Sequence, residues 1–575
     1  MKQNFPKLRL FFVHLLLVLL GALLFAASFP NILSADGFPF LAWIAFVPVF
    51  YLIHSTSPLS SVFWGALYGY AAYGFFNYWL SVFHPLAGII VDSIYLVYFA
   101  ALFPLLKLAG ILFPRRGYLV QWAVWIAYEY LRTLGFLGYS YGIAGYSQWS
   151  VLPLIQIADI FGVWGVSALV VFPSAALAAA LRPVSATALP AAGVKAPAGG
   201  PGKPGRGGAA LFVAGIPARL GAFFRRERVA CCLWLAALAG TLVYGALSPA
   251  DYRDAPSVRL ALIQHNTDPW KGGIAQYRRN YEVLKRLSLE ALGETPKPDL
   301  VVWSETAFVP RIYWHTTYRD DPPSWELIRE LLDFLKQQDV PFLIGNDDAR
   351  KEPPKNPEDS YRVDYNAVML FERGEEAALY RKLHLVPFTE HFPYGKQFPW
   401  VYNALKNADT HFWENGAEAT VFESAGVKFS TPICFEDTFG YLPRLFTRNG
   451  AELIVNLSND AWSASLPAQM QHLSMAVFRA VENRRSMARS TASGQTCGID
   501  PNGKILAMAE PFAEASLNVD LPIVKKTTLY TRFGDIWGQL FAVSALAILL
   551  IGIARCILGR RAGGKPASDG RAGVN

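Results

Sequence analysis

Three side chains in the second half of this 575-residue chain have types and settings suited to nucleophilic acyl transfer. Cys434 follows the apolar run Val427–Ile433, which reads as a short strand, and precedes Phe435, Glu436 and a helix-like run from Thr438 to Thr447. A strand that stops sharply before a helix exposes its last side chain at the sheet edge, where a nucleophile can reach substrate. Taken alone, Cys434 is better explained as a buried structural cysteine. Glu305 ends the apolar strand Leu300-Val-Val-Trp-Ser-Glu305, and taken alone it reads as a solvated strand end. Lys382 and Glu390 share one turn-rich segment, Tyr380-Arg-Lys-Leu-His-Leu-Val-Pro-Phe-Thr-Glu390, in which the lysine has too many apolar neighbours for a solvated face. Together the three form a coherent set. A carboxylate takes the thiol proton, and an ammonium stabilises the oxyanion that forms when the thiolate attacks a carbonyl. Glu390 is placed to orient Lys382 or Glu305, and Glu436 lies two residues past the nucleophile.

The elements that must position these groups read as an α/β layered domain. Val258–Gln264, Leu300–Trp303, Phe342–Gly345, Ala367–Phe371, Val427–Ile433 and Leu453–Leu457 have the apolar patterning of strands. Gln276–Leu292, Ser324–Gln337 and Ala468–Arg489 have the periodicity of helices. Their alternation implies a substantial buried sheet.

That domain occupies only part of the chain. The sequence is 53% hydrophobic and 17% charged, with a mean hydropathy of +0.25. A soluble protein carries nearer a quarter of charged residues. Apolar spans recur at Leu8–Phe29, Phe40–His54, Ser61–Phe83, Ile89–Phe113, Leu119–Leu134, Leu152–Leu181, Val229–Leu247 and Trp537–Leu558, each about long enough to cross a bilayer or a tilted part of one. The first resembles a signal peptide, but its length and the apolar spans that follow favour an uncleaved membrane helix. The expected organisation is residues 1–248 as membrane helices, 249–534 as a globular catalytic domain, and 535–575 as a last helix with a tail.

The net charge of +8 does not point to nucleic acid, because the arginines cluster beside apolar spans. With the N-terminus cytoplasmic, Pro114-Arg-Arg116, the low-complexity loop Arg182–Arg228 and the tail Arg555–Lys565 all fall on the cytoplasmic side, as the positive-inside rule requires. The domain 249–534 then faces outward. Glu129 and Arg132 lie three apart on one apolar span, so a pairing on one face is expected, serving either headgroup contact or the locking of helices. The cysteines number five, an odd count that argues against a disulfide framework. Cys231, Cys232 and Cys556 lie in or beside apolar spans, which leaves a Cys434–Cys497 bridge as the alternative to a free nucleophile.

Trp-Ser-Glu305, Tyr-Arg-Lys382-Leu-His-Leu-Val-Pro-Phe-Thr-Glu390 and Ile-Cys434-Phe-Glu436 resemble the Glu-Lys-Cys signature of the nitrilase superfamily. With the flanking apolar spans and Asn456-Leu-Ser-Asn-Asp-Ala-Trp462, the chain is similar to the membrane-embedded branch of that superfamily, the bacterial apolipoprotein N-acyltransferases. The resemblance implies an α-β-β-α sandwich facing the periplasm, joined to membrane helices of the bacterial inner membrane. It implies a two-step reaction without metal or cofactor. The cysteine takes a fatty acyl chain from a phospholipid as a thioester, then passes it to the amine of a diacylglyceryl-cysteine at a lipoprotein N-terminus. It makes Glu305, Lys382 and Cys434 the catalytic residues, Glu390, Glu436 and Phe435 supporting ones, and Trp270 and Trp462 substrate-binding, the last on a loop over the site. Phe435 stands where the family commonly has tyrosine, and Ser304 where it has proline before the first glutamate. The Phe435 backbone N–H is still available toward the oxyanion, so the departure touches side-chain contacts alone.

Two rival readings use the same residues differently. A membrane-anchored nitrilase-type amidase would keep the three groups and accept water in place of a lipid amine. A transporter or sensor with a degenerate outer domain conflicts with the complete set and lacks the interrupted helix pair of a transport site. Both lipid substrates are anchored in a bilayer, which favours a catalytic domain held at the membrane surface with aromatic loops such as Phe392–Tyr394 and Phe398–Tyr402 to admit acyl chains sideways.

Overall fold

A computed structural model describes residues 5–83, 85–182, 216–268, 271–353, 361–407 and 410–563. Short strands buried on both faces build the domain that carries the candidate site. Strands β1 (Ser257–Gln264), β2 (Leu300–Trp303), β3 (Phe342–Lys351), β4 (Arg362–Glu372) and β5 (Glu375–Arg381) are followed by β6 (Val421–Ser424), β7 (Val427–Ser430) and β8 (Leu453–Ser458). Then come β9 (Ser486–Thr491), β10 (Cys497–Ile499), β11 (Ile505–Met508) and β12 (Ala515–Pro522). They form two six-stranded sheets, ordered β12-β1-β2-β3-β4-β5 and β11-β10-β9-β8-β7-β6. The central strands β1, β2, β3 and β7, β8, β9 run parallel, and the outer ones close the sheets antiparallel.

The two-residue period of a strand sorts the side chains. On β1, Val258, Leu260 and Leu262 enter the layer between the sheets with Val302, Phe429 and Val455. Ala261 and Ile263 face the other way, onto the amphipathic helices Ile274–Leu292 and Pro322–Lys336 through Tyr281, Leu284, Leu331 and Phe334. The outer face of the second sheet is covered by helix Leu466–Asn483, buried along its whole length from Ala468. One side of that helix meets the sheet and the other meets the membrane helices, so Leu473, Val477 and Phe478 share a core with Ile155, Tyr146 and Trp79. The expected helix Ala468–Arg489 therefore needs correction. It stops at Asn483, where Arg484 takes a left-handed conformation (φ 50°) as its cap, and the chain re-enters the sheet as β9. Strands β5, β6, β9, β10, β11 and β12 lie beyond those expected from the sequence.

A helix occupies each of the apolar spans, at Phe5–Ala27, Val47–Ser55, Pro58–Phe76, Pro85–Leu112, Gly117–Leu131, Ala158–Ala180, Arg228–Leu247 and Ile536–Gly563. Among the described residues five are long and apolar enough to cross a membrane. The span Phe40–His54 breaks into three short helices, and Leu152–Leu181 is interrupted after Ile155. Their outward side chains are apolar, Leu16 64% and Val543 65% exposed among them, a surface that only lipid would cover favourably.

The bundle has two chemically different ends. Helix Ala158–Ala180 begins beside the α/β domain, where Asp159 accepts hydrogen bonds from Arg484, and is followed by Arg182, which meets His54. Its 23 residues, kinked at Gly162, separate those ends by at most about 34 Å. The basic residues Lys107 and Arg182 gather at the His54 end. The other end docks. Arg484 also donates to Gln156 and Asn502, Gln471 donates to the carbonyls of Pro30 and Phe76, and Trp164 donates to Asp535. Gly162 sits there with φ 62°, and a Cβ on it would come within 2.7 Å of the Tyr530 ring. The Asp159–Arg484 pair is buried on both sides, so removing either partner strands a charge, typically a loss of about 3–5 kcal/mol.

Glu129 and Arg132 do not pair as expected. Glu129 accepts from Trp125 Nε1 and the Ala144 amide, while Arg132 donates to Tyr95 Oη and to the carbonyls of Tyr139 and Tyr141. Arg132 caps the helix C-terminus, so its side chain follows the loop beyond rather than the helix face. Cys434 and Cys497 are both free thiols.

Candidate active site

The candidate nucleophile sits where β7 gives way to a 3-10 turn. After Ser430 the chain passes Pro432, and Ile433 makes a lone bridge to Leu457 before the turn Cys434–Thr438 begins. Cys434 itself has φ 48°, a left-handed conformation that costs a non-glycine residue about 1–3 kcal/mol and is held only where the surroundings over-determine it. Asn456 on β8 supplies part of that restraint by donating to the carbonyls of Pro432 and Cys434.

Glu436 supplies the rest. Its carboxylate is completely buried and accepts from Tyr380 Oη and from the amides of Ile433, Leu383 and His384, at 2.7–3.0 Å. Those amides flank the nucleophile on one side and Lys382 on the other, so one side chain pins the two segments together. Burial pushes the Glu436 carboxyl up to about 7, against the pull of its donors and of Lys382.

Lys382 follows β5 and is wholly buried. Its backbone is fixed from both sides, the amide donating to Asn366 O and the carbonyl accepting from Gly416 N, both at 2.8 Å. Nζ donates to Glu390 Oε1 at 2.9 Å and to Glu305 Oε1 at 3.4 Å. Burial opposes the ammonium, but the carboxylates of Glu390 and Glu305 outweigh it and hold Lys382 above the usual lysine range. Glu390 is raised by its own burial, with Lys382 pulling the other way, and its second oxygen accepts from Val386 N at 2.8 Å. Glu305 lies just past β2 and accepts from Asn366 Nδ2 and from the Asn459 amide, each at 2.8 Å. The amide of Asn459 thus turns the Glu305 carboxylate from one side while Lys382 holds it from the other.

These groups act on one thiol. Burial and the negative charge of Glu305 push Cys434 well above the ordinary cysteine range, and Lys382 pulls it down by less. The resting group is therefore a thiol, not a thiolate. A carboxylate beside a thiol and a fixed ammonium beside both can remove the proton as the sulfur attacks and then neutralise the charge that develops on an attacked carbonyl oxygen.

The structure brings Glu305, Lys382, Glu390, Cys434 and Glu436 to one place. Phe435 packs its ring on Phe439 and lies 6.0 Å from the His384 ring. Trp462 stands on the short turn Asp460–Ser463, its ring 5.7 Å from Trp79 of the membrane part. Trp270 lies outside the described residues. Beside the site, Phe136 from the membrane part packs on Phe388, Phe392 and Tyr394, and Tyr394, Phe398 and Trp400 are exposed, Trp400 by 73%. Asn366, Tyr380, Asn456 and Asn459 escaped sequence reading. Asn456 and Asn459 lie in the motif around Trp462, where a hydrogen-bonding role was legible; Asn366, on a strand between charged segments, carried no signal.

Residues 259–527 match the carbon-nitrogen hydrolase family, and residues 21–176 match the apolipoprotein N-acyltransferase N-terminal domain. The apolipoprotein N-acyltransferase 1 of Treponema denticola is 45% identical over 551 residues, spanning 93% of this chain and 96% of that one. The apolipoprotein N-acyltransferase 1 of Treponema pallidum is 46% identical over 558 residues, spanning 96% and 97%. The apolipoprotein N-acyltransferase of Geobacter metallireducens is 30% identical over 560 residues, spanning 94% and 95%.

Proposed function

The chain belongs to the apolipoprotein N-acyltransferase family, and from that premise we propose that it moves a fatty acyl chain from a membrane phospholipid to the N-terminal amine of a diacylglyceryl-cysteine lipoprotein, through a thioester on Cys434. The observation that carries the reading is a buried lysine bonded to two carboxylates beside a thiol, at the docking end of a membrane bundle.

In the first half-reaction Cys434 attacks the ester carbonyl of the phospholipid as Glu305 takes the thiol proton. Lys382, with the Phe435 amide, faces the oxyanion. The intermediate collapses, the lysophospholipid oxygen leaves with the proton held on Glu305, and the thioester forms. In the second, the lipoprotein amine attacks the thioester, Glu305 takes the amine proton, and the same oxyanion site is used again. The thiolate leaves and recovers that proton. A thioester suits the task because it is far more reactive toward an amine than the original ester. Glu390 keeps Lys382 in place, Glu436 fixes both turns, and Trp462 borders the acyl path.

The domain limits follow the two chemistries of the chain: 1–248 as inner-membrane helices with the cytoplasmic loop 182–228, 249–534 in the periplasm, and 535–575 as a last membrane helix with a cytoplasmic tail. Supporting this, the basic residues Lys107 and Arg182 lie at the bundle end opposite the α/β domain, as the positive-inside rule asks. A reporter inserted in 183–215 is expected in the cytoplasm and one near Asp320 in the periplasm; both on one side would sink the orientation. The exposed aromatic residues Tyr394, Phe398 and Trp400 give acyl chains an amphipathic entry beside the site.

The test is intact mass of the purified protein after incubation with phospholipid alone. One added acyl group with release of lysophospholipid is expected, and the group should leave on adding a diacylglyceryl-cysteine peptide. Loss of the acyl group to water at the same rate without peptide would instead favour the hydrolytic reading.

A further inference from the structure

Behind the nucleophile turn lies a second set of buried charges that the proposed chemistry does not use. His472, on helix Leu466–Asn483, reaches Asp437 Oδ1 through Nε2 at 2.7 Å and Asp460 Oδ1 through Nδ1 at 3.0 Å. Arg489 on β9 donates to the same two carboxylates, to Asp460 Oδ2 at 3.3 Å and to Asp437 Oδ2. All four side chains are at most 3% exposed.

We propose that His472 is a positioning residue that ties the nucleophile turn to the loop orienting the general base, and that the charge balance it completes sets the reactivity of Cys434. The inference rests on the proposed role of Cys434. Asp437 lies in the same 3-10 turn as Cys434. Asp460 follows Asn459, whose amide orients Glu305, and accepts from Ser458 Oγ at 2.8 Å. The imidazole is thus the bridge between the two strand exits that must stay in register. Two carboxylates and one guanidinium leave a net negative charge, which an imidazolium cancels. Each His472 ring nitrogen faces a carboxylate oxygen, so only the protonated ring donates to both. Consistent with this, Asp437 and Asp460 overcome burial and the repulsion of Arg489 to raise His472 to about 9, and Asp460 is held down to about 2.

The groups facing this network are Asp437 from the nucleophile turn, Asp460 from the β8 exit, Arg489 from β9, Tyr141 from the membrane part at 6.3 Å between rings, and the thiols of Cys434 and Cys497. The charges of both Asp460 and Arg489 reach Cys434. The neighbouring residue on the helix, Gln471, is the one bonded to Trp79, Pro30 and Phe76 of the membrane part. Docking onto the membrane helices and alignment of the reacting groups therefore run through adjacent residues of one rigid element.

The test follows the rate of Cys434 alkylation, mapped by peptide mass in the full-length protein in detergent. The range is about pH 7 to 11, carried above the free thiol value near 8.5 because burial raises this thiol. A midpoint shift is read as displacement of the rate–pH curve against wild type. It is read alongside single-turnover acylation by phospholipid. His472→Gln should move the alkylation midpoint upward, because buried negative charge is left uncancelled. It should also slow acylation by about 10²-fold, the scale for a misplacement of about 1 Å. Asp460→Asn should move the midpoint downward. A purely structural role would not give opposite signs. An unmoved midpoint in His472→Gln, or shifts of the same sign in both variants, overturns the proposal. Should His472→Gln fail to fold, Asp460→Asn decides alone, an unmoved or raised midpoint being the overturning result. Alkylation needs no substrate, so a wild-type protein that gains no acyl group would sink the acyltransferase reading while the midpoint shifts still decide the role of His472.

Discussion

Cys434→Ala is expected to abolish acylation by phospholipid, a loss on the order of 10⁶-fold, the scale of removing a nucleophile outright. The protein should still fold, because the turn is held by Asn456 and by Glu436 through backbone groups, not by the thiol. Cys497→Ala is the matched control. Cys497 lies fully buried on β10, and burial pushes its thiol up to about 12, against the pull of Arg489, so it is inert at the pH of the assay. Intact mass after incubation with phospholipid should show one acyl group on wild type and on Cys497→Ala, and none on Cys434→Ala. Peptide mapping separates this from adventitious acylation of the exposed Cys232 and Cys556. An acyl mass retained on Cys434→Ala would reject the assignment.

The parts of this site that were legible in the sequence are those whose local setting contradicts their chemistry. Lys382 lies in an apolar turn-rich segment, a costly placement unless its charge is paired, and the structure pairs it with Glu390 and Glu305. Glu305 follows the apolar strand Leu300–Trp303 after Ser304 and gains its meaning from that lysine. What could not be read is what depends on convergence across the fold. Asn366 and Asn459 are 61 and 154 positions from Glu305 yet both hold it, and no local pattern announces that. His472 was hidden differently. It sits on a helix correctly expected to start near Ala468, but a helix buried on all sides gives no apolar stripe to show which polar residue is exceptional. The end of that helix was misread because helical periodicity continues past Asn483, while the structure stops it with the left-handed Arg484, whose guanidinium is spent on Asp159 and Gln156 of the membrane part. Strand β5 was missed for the reason that its exposed first half, Glu375-Glu-Ala-Ala, has helix-forming composition.

Glu305→Gln and Lys382→Met are expected to fail in ways that pH separates. Removing a general base costs on the order of 10²–10⁴ in rate, and removing an oxyanion donor on the order of 10²–10³, so size alone does not distinguish them. The thiol does. Burial holds Cys434 protonated at neutral pH, and the Glu305 charge reinforces that while Lys382 opposes it. In Glu305→Gln the charge that disfavours the thiolate is gone and the lysine is retained, so the thiol ionises more readily and hydroxide can stand in for the missing base. Single-turnover acylation should then climb about tenfold per pH unit, approaching a plateau at the thiol pKa. In Lys382→Met two buried carboxylates lose their cation, and the negative charge left around the sulfur makes its ionisation harder. Raising the pH does not restore the missing positive charge at the oxyanion, so the rate stays low across the range from about pH 6 to 10, chosen to bracket the free thiol value near 8.5. Equal recovery of both variants at high pH would reject this division of roles. Undiminished rates in either would remove that residue from the chemistry and leave it a structural partner of Glu390.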